Sequence, residues 1–159
     1  MHTLKTQAEV QSYGYQISYY THDDVIRWAD HIIETCPIIE IPRQIYDISL
    51  SKNKKIERVL EWLEDIPGET EENLPRKILL GHFYHEVTKE PAKLKEIISL
   101  MDRLVAVNTQ YDELTFEVIP LTDGYGLAED IYGDIDRAAQ AIIDFLAGFK
   151  DYATCKDGS

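Results

Sequence analysis

The sequence has few of the residues that would build a disulfide framework, a membrane span or a nucleic-acid-binding surface. Only two cysteines occur, Cys36 and Cys155, which argues against a disulfide-stapled scaffold and predicts a reducing, cytoplasmic location. No apolar run approaches the ~18 residues of a membrane-spanning helix, and residues 1–10 lack the apolar core of a signal peptide. Lys and Arg number 16 against 29 Asp and Glu. The resulting net charge of −13 argues against nucleic acid and anionic membranes as partners.

Catalytic signatures are missing as well. The chain contains no G-x-S-x-G, P-loop or G-x-G-x-x-G motif, so hydrolase, nucleoside triphosphatase and dinucleotide-binding functions have no support. The stretch that begins at Asp130 resembles a calcium loop, but Ala141 stands at the twelfth position, where such a loop needs Glu. We therefore predict a protein without a metal or another cofactor.

One histidine cluster leaves a metal-dependent enzyme open as an alternative function. His82, His85 and Glu86 follow one another closely, and His82 shares a helix face with Glu86 because the two are four positions apart. The order H-x-x-H-E matches neither zinc-protease motif, so we favour the interpretation of a polar helix face. A small metal-dependent enzyme that uses these three side chains is the second hypothesis.

Helical periodicity dominates what is present. Between Val25 and Cys36, apolar residues recur at i, i+3, i+4, i+7, i+8 and i+11, which is the spacing of one helix face. Thr21 supplies an N-cap for this helix, and Pro37 ends it. Cys36 therefore reads as a small core residue.

Similar stripes predict further helices after Pro42, Ile56, Pro75, Pro91 and Asp134. A chain of 159 residues fits one domain, and no linker or repeat divides it. We predict a mainly α fold, a single-domain bundle or short solenoid of about six to seven helices with at most a minor strand pair. The helical domain is expected to span residues 21–152.

Two alternating patterns are the exceptions to this helical periodicity. Alternate positions from Tyr13 to Tyr19 are apolar or aromatic, which predicts an N-terminal arm or short strand within residues 1–20. The run Leu114–Val118 alternates too and leaves helix and short strand open, and a loop is predicted over Pro120–Gly126. Residues 153–159 are expected to form a frayed tail.

Acidic residues are segregated into two windows that contain no Lys or Arg. The first window, residues 59–75, holds six acids, and the second, residues 104–136, holds eight. Together they contain 14 of the 29 acids of the chain. Large single-sign fields attract oppositely charged partners, so this segregation points to a basic partner. A solvated, merely solubilising surface is the alternative interpretation.

Three short segments carry a family resemblance: Val25–Asp30 (VIRWAD), Ile45–Ser51 (IYDISLS) and Leu127–Gly133 (LAEDIYG). They resemble a family of small bacterial helical proteins that are similar to immunity proteins of polymorphic toxin and contact-dependent inhibition systems. The resemblance covers most of the chain, from residue 20 to residue 150. It implies a stoichiometric inhibitor that stays in the cytoplasm and blocks a toxin, often a nuclease with a basic cleft. It carries over no catalytic residue.

Charge pattern and resemblance lead to one functional hypothesis, an acidic binding protein that inhibits a basic, nuclease-like toxin domain. A helical scaffold or regulatory subunit with a non-basic partner is a further alternative, and the oligomeric state stays open. Trp62 is a candidate anchor, since an exposed aromatic residue among carboxylates suits a binding hot spot; otherwise it packs against a neighbouring helix. The candidate partner-binding residues are Glu61, Trp62, Glu64, Asp65, Glu69, Glu71, Glu72, Asp123, Glu129, Asp130 and Asp134.

Overall fold

The computed structural model describes residues 2–107, 112–130 and 133–153. These ranges form eight α-helices and no β-strand, so the predicted mainly α fold is confirmed, with one helix more than the upper number expected. The helices belong to two compact units, of which unit 1 ends at Pro75 and unit 2 begins at Arg76. The sequence predicts one domain and shows no linker here, because the boundary between the two units falls inside the first turn of the helix that begins at Leu74. Across the described ranges, no helix is both long and apolar enough to span a membrane.

Unit 1 contains the helices α1 (Leu4–Gln16), α2 (His22–Thr35), α3 (Arg43–Ser49) and α4 (Ile56–Asp65). Short connections join α2 to α3 and α3 to α4, and the helices of each pair pack on one another. The first helix, α1, packs mainly on α4. The apolar stripes of the four helices meet in one core, formed by Ala8, Val25, Ala29, Ile32, Ile41, Ile45, Ile48, Val59, Leu63 and Ile66.

Helix α2 forms as its residue pattern predicts. Thr21 Oγ1 accepts a hydrogen bond from the Asp24 backbone N–H at 3.1 Å, and the Asp24 carboxylate accepts one from the Thr21 N–H at 2.8 Å. This reciprocal capping box satisfies donors that the start of a helix leaves without intrahelical partners. The helix ends at Thr35, just before Pro37, and Cys36 packs half-buried against the core.

The N-terminal arm or short strand predicted within residues 1–20 is wrong, because residues 4–16 form α1. Thr3 starts this helix, since its Oγ1 accepts a hydrogen bond from the Thr6 N–H at 3.1 Å. The Tyr20 ring folds back onto Gly14, where an added Cβ would lie 2.2 Å from the ring. Ser18, at φ 66, turns the chain for this return. The glycine therefore makes room for a ring and does not interrupt a strand.

Unit 2 contains α5 (Leu74–Lys89), whose first two residues belong to unit 1, and then α6 (Leu94–Ala106), α7 (Glu113–Asp130) and α8 (Ile135–Ala147). Pro75 stands in the first turn of α5, and Asp134 caps α8, as predicted. The helix α7 packs on both α6 and α8. The buried apolar residues of this unit include Leu79, Leu80, Phe83, Val87, Ile97, Met101, Leu104, Leu114, Val118, Ile142 and Leu146.

The loop predicted at Pro120–Gly126 is wrong, and of the two structures left open for Leu114–Val118 the helix forms, because α7 runs through both segments. Leu114 and Val118 are four positions apart, so they lie on the same face of a helix as well as on the same face of a strand. Both side chains are buried. Phe116 lies between them on the exposed side of the helix. Proline and glycine usually stop a helix, but the packing of α7 on α6 and α8 outweighs that local preference.

The C-terminal segment is partly packed. A short 3₁₀ turn spans Lys150–Ala153, and Ala153 is buried, so the frayed tail predicted from residue 153 does not include that residue. Gly81 of α5 makes room for this turn, since an added Cβ would lie 2.4 Å from the Phe149 carbonyl oxygen. Residues 154–159, including Cys155, lie outside the described residues.

Candidate functional site

The acids of the first window lie on α4 and on the loop that follows it, and all six are exposed. Glu61 forms an ion pair with Arg58, in which Nη1 and Oε2 are 3.3 Å apart. Within the described ranges, the other five carboxylates form no ion pair and accept no hydrogen bond from a side chain: Glu64, Asp65, Glu69, Glu71 and Glu72. Five of the six acids predicted here are therefore available to a partner.

Trp62 lies at the edge of the core rather than on an open surface. Its ring is half-buried against the unit 1 core, and the Arg58 guanidinium carbon lies 5.7 Å from the ring centroid. The indole therefore already packs on its own unit and carries a cation over one face. That placement makes Trp62 a weaker anchor candidate than its position in the sequence suggests.

The charges on α4 run largely against the dipole of that helix. Acids stabilise the first turn of a helix and bases the last turn, because the helix carries partial positive charge at its start and negative charge at its end. A basic turn, residues 52–55, precedes α4, whereas its last turn ends with Glu64 and Asp65 and contains no base. Glu57, in the first turn, is favourably placed. Each misplaced charge costs ~0.3–1 kcal/mol, so helix stability does not account for this pattern.

The C-terminal end of α4 lies beside the starts of α1 and α3. Lys5 Nζ donates to the Glu64 carbonyl oxygen at 2.6 Å, which compensates part of the negative charge at this end. Gln44 Nε2 donates to the Asp65 carbonyl oxygen at 3.4 Å. The turn between α2 and α3 ends at Pro42, two residues before Gln44, so it leads into α3 at the same end of the unit. We call this region the acidic end of unit 1, and its exposed acids are Glu34, Glu40, Glu64, Asp65 and Glu69.

Two exposed isoleucines at the acidic end are a feature that the sequence does not reveal. Ile38 and Ile39 occupy the turn between α2 and α3 and are 82% and 94% exposed. In the sequence these two residues are part of a short apolar run, residues 38–41, and nothing in such a run indicates which side chains face solvent.

The predicted site residues of the second window all belong to unit 2, so the two windows lie in different units. Glu129 is ion-paired with Lys95, and this contact raises the pKa of the Lys95 ammonium. Asp134 caps α8, because its carboxylate accepts hydrogen bonds from the N–H groups of the first helical turn at 3.1 and 3.2 Å. Asp123 and Asp130 are exposed on α7.

A further acid of the second window, Asp112, is committed to the fold of unit 2. It forms an ion pair with Arg76, whose side chain is almost fully buried. Its carboxylate also accepts hydrogen bonds from the Thr115 N–H at 3.0 Å and the Thr115 hydroxyl at 3.1 Å, which fixes the start of α7. Partial burial raises the pKa of Asp112, but the Thr115 hydrogen bonds and the Arg76 charge together hold it below its ordinary value.

The histidine cluster does not assemble a metal site. His85 Nε2 lies 2.9 Å from the Lys150 carbonyl oxygen, and Glu86 lies 3.9 Å from the Lys93 ammonium. Among the described residues, which include His82, His85 and Glu86, no group of three or more potential ligands could hold a metal ion. The metal-dependent alternative therefore finds no donor set where the sequence suggested one.

Comparison with family models, with curated proteins and with solved structures found no match to this chain. Two of the segments that carry the sequence resemblance lie in α2 and across the end of α3, where Val25, Ala29, Ile45 and Ile48 belong to the unit 1 core and Leu50 is exposed. In the third segment, Leu127–Gly133, residues 131 and 132 lie outside the described residues.

Proposed function

We propose that this chain is an acidic, cytoplasmic binding protein, an immunity-type stoichiometric inhibitor whose partner is a basic, nuclease-like toxin domain. The observation that carries the proposal is the state of the acids of unit 1. Glu64, Asp65 and Glu69 are exposed and form no ion pair among the described residues, and the first two stand at the helix end where they cost stability.

Inhibition would follow from the negative charge of the acidic face and from its coverage of the partner's basic cleft. An acidic face raises the rate at which a basic domain encounters it, and it opposes partners whose surfaces are acidic. Once bound, carboxylates can occupy the cationic positions of a nuclease cleft that would otherwise hold phosphates. No catalytic group is required of the inhibitor, because occlusion of the cleft suffices.

The test is a pull-down with the full chain, tagged at its carboxyl end, in extract of the host cell. Binding is compared at about 0.05 M and about 0.5 M salt, since electrostatic attraction between exposed charges is screened over this range. A basic protein that is held at low salt and released at high salt is the expected result. A partner that is acidic or neutral, or that is retained equally at both salt concentrations, would favour the scaffold alternative.

A matched pair of variants locates the binding face. Glu64→Lys with Asp65→Lys reverses two charges at the acidic end, and Asp23→Lys with Glu57→Lys reverses two exposed charges in the first turns of α2 and α4. The two double variants have the same net charge. Loss of the basic partner from the first variant alone is expected, and equal weakening by both would show that only total charge matters.

A further inference from the structure

The turn between α2 and α3 presents an apolar pair in a fixed conformation. Pro37 and Pro42 flank the turn, the Glu40 N–H donates to the Pro37 carbonyl at 2.9 Å, and the Ile41 N–H donates to the Ile38 carbonyl at 3.2 Å. Ile41 is buried in the core directly after the pair. Ile38 and Ile39, in contrast, belong neither to that core nor to the residues packed against it. The pair is therefore held outward by a short, hydrogen-bonded turn.

The surroundings of this pair carry negative charge. Glu34 precedes the pair and Glu40 follows it, and within the described ranges neither carboxylate is ion-paired. Arg43 is the nearest cation in sequence, and it is paired with Asp47, with Nε and Oδ2 3.7 Å apart. Two apolar side chains surrounded by acids have the pattern of an interface anchor within a polar rim.

We propose that Ile38 and Ile39 are the apolar anchor of the acidic end and insert into an apolar pocket on a basic protein surface. This inference rests on the proposed function and deepens it, because it assigns the hot spot to the turn between α2 and α3 instead of to Trp62. The acids around the pair steer a basic partner into register, and the isoleucines then set how long it stays.

Charge favours a basic protein over the other two partners that an exposed apolar pair could bind, which are a second copy of the chain and a lipid surface. A second copy of the chain would bring Glu34, Glu40 and Asp65 against their own equivalents, which costs free energy for a molecule of net charge −13. An anionic lipid surface would repel the same acids. A basic surface with an apolar pocket complements both the acids and the isoleucine pair.

The first experiment uses the full chain with benzoylphenylalanine replacing Ile39, irradiated in host-cell extract at low salt, with adducts identified by mass spectrometry. Two further chains carry the photo-reactive group in place of Glu64 or Leu50. Leu50 is the matched control, because it is 82% exposed on the same unit but adjoins the basic turn, residues 52–55. The expected result is an adduct with a basic protein from position 39, absent at high salt and absent from position 50.

The second experiment measures binding of the adduct partner, once purified, to variants of the full chain. Ile38→Ser with Ile39→Ser is expected to weaken binding roughly 30-fold or more, mainly through faster dissociation, as loss of a hot spot does. Leu50→Ser is expected to change binding less than about threefold. Melting curves should coincide for all three proteins, because the replaced side chains are exposed.

The outcomes separate this inference from the proposed function. A basic adduct from position 64 but not from position 39, or binding within threefold after both isoleucines are replaced, overturns the anchor and leaves the inhibitor standing. An adduct between two copies, or one from position 39 that survives high salt, overturns the assigned occupant. If neither position 39 nor position 64 yields a basic protein, both proposals fall.

Discussion

In unit 1 the acids of the first window are exposed on α4 and the loop that follows it, and among the residues that the structure describes only Glu61 of the six forms an ion pair. In unit 2 three of the eight acids of the second window have roles in the fold itself, whereas Asp123 and Asp130 are exposed. Asp112 holds the buried Arg76, Glu129 pairs with Lys95, and Asp134 caps α8. A carboxylate that already satisfies a buried cation or a helix start cannot turn to a partner without loss of stability. Acidic windows in the sequence therefore correspond to an available surface in unit 1 and, for three of the acids, to support of the fold in unit 2.

The largest expected effect tests the internal role of the second window. Asp112→Asn should lower the free energy of unfolding by about 3 kcal/mol, because it removes the negative charge that is paired with the buried Arg76 guanidinium. Urea unfolding followed by far-UV circular dichroism is the measurement. Asp65→Asn in the first window is the control and should stay within ~0.5 kcal/mol, as surface substitutions usually do. Equal effects from the two variants would remove the distinction between the windows.

The second test is the pH dependence of the difference in unfolding free energy between wild type and Asp112→Asn. The pKa of Asp112 in the folded chain lies below its ordinary value, so the unfolded chain binds the proton first as the pH falls. The stability from the ionised carboxylate is fully present above the ordinary aspartate pKa and is lost as the pH falls through the lowered folded value. The gap in unfolding free energy between wild type and Asp112→Asn should therefore be constant near neutrality and shrink in acid. A gap that stays unchanged down to the acid limit of folding would contradict this role.

A smaller effect is expected at Asp134, which the sequence analysis placed among the partner contacts. Asp134→Ala removes the side chain that caps α8 and should cost about 1 kcal/mol. Asp123→Ala, an exposed change within α7, should be neutral or slightly stabilising, because alanine is the better helix former. Thermal melts of the two variants give the comparison. Destabilisation by the Asp123 variant, with none by the Asp134 variant, would reverse the assignment of roles.

The smallest expected effect is a gain in stability rather than a loss. Asp65→Lys places a base in the last turn of α4 and replaces the i,i+4 repulsion from Glu61 with an attraction. Unit 1 should gain ~0.3–1 kcal/mol, while binding to a basic partner should fall. Both tryptophans, Trp28 and Trp62, lie in unit 1, so tryptophan fluorescence during unfolding reports on this unit. Loss of stability in the variant would show that Asp65 supports the fold.

The parts of the fold that residue patterns predicted are those where local signals agree. In α2, a capping threonine, one apolar stripe and a terminal proline all indicate the same helix, and the structure contains it. In α7, Pro120 and two glycines contradict the apolar row that starts at Leu114, and contacts with α6 and α8 decide in favour of a helix. Such contacts join residues far apart in the chain, so a local pattern cannot contain them.

The candidate site, like the fold, could be predicted only in part from the sequence. Segregation of acids was visible in the sequence, but the use of each acid depends on partners that only folding supplies, such as Arg76, 36 residues from Asp112. The burial of Trp62 and the exposure of Ile38 and Ile39 were equally hidden. All three residues are apolar, and which of them meets solvent is decided by how α2, α3 and α4 pack together.

The contact between α1 and the end of α4 has a practical consequence. Lys5 reaches the Glu64 carbonyl, and the Thr6 and Thr70 hydroxyls lie 2.6 Å apart, so the chain enters its first helix beside the acidic end. An affinity tag or carrier protein fused ahead of Thr3 would emerge at the same place and could shield this surface from a large partner. A histidine tag placed there would in addition lie against the acids whenever its imidazoles carry protons. Such a fusion would appear inactive in a binding screen although the fold itself was intact.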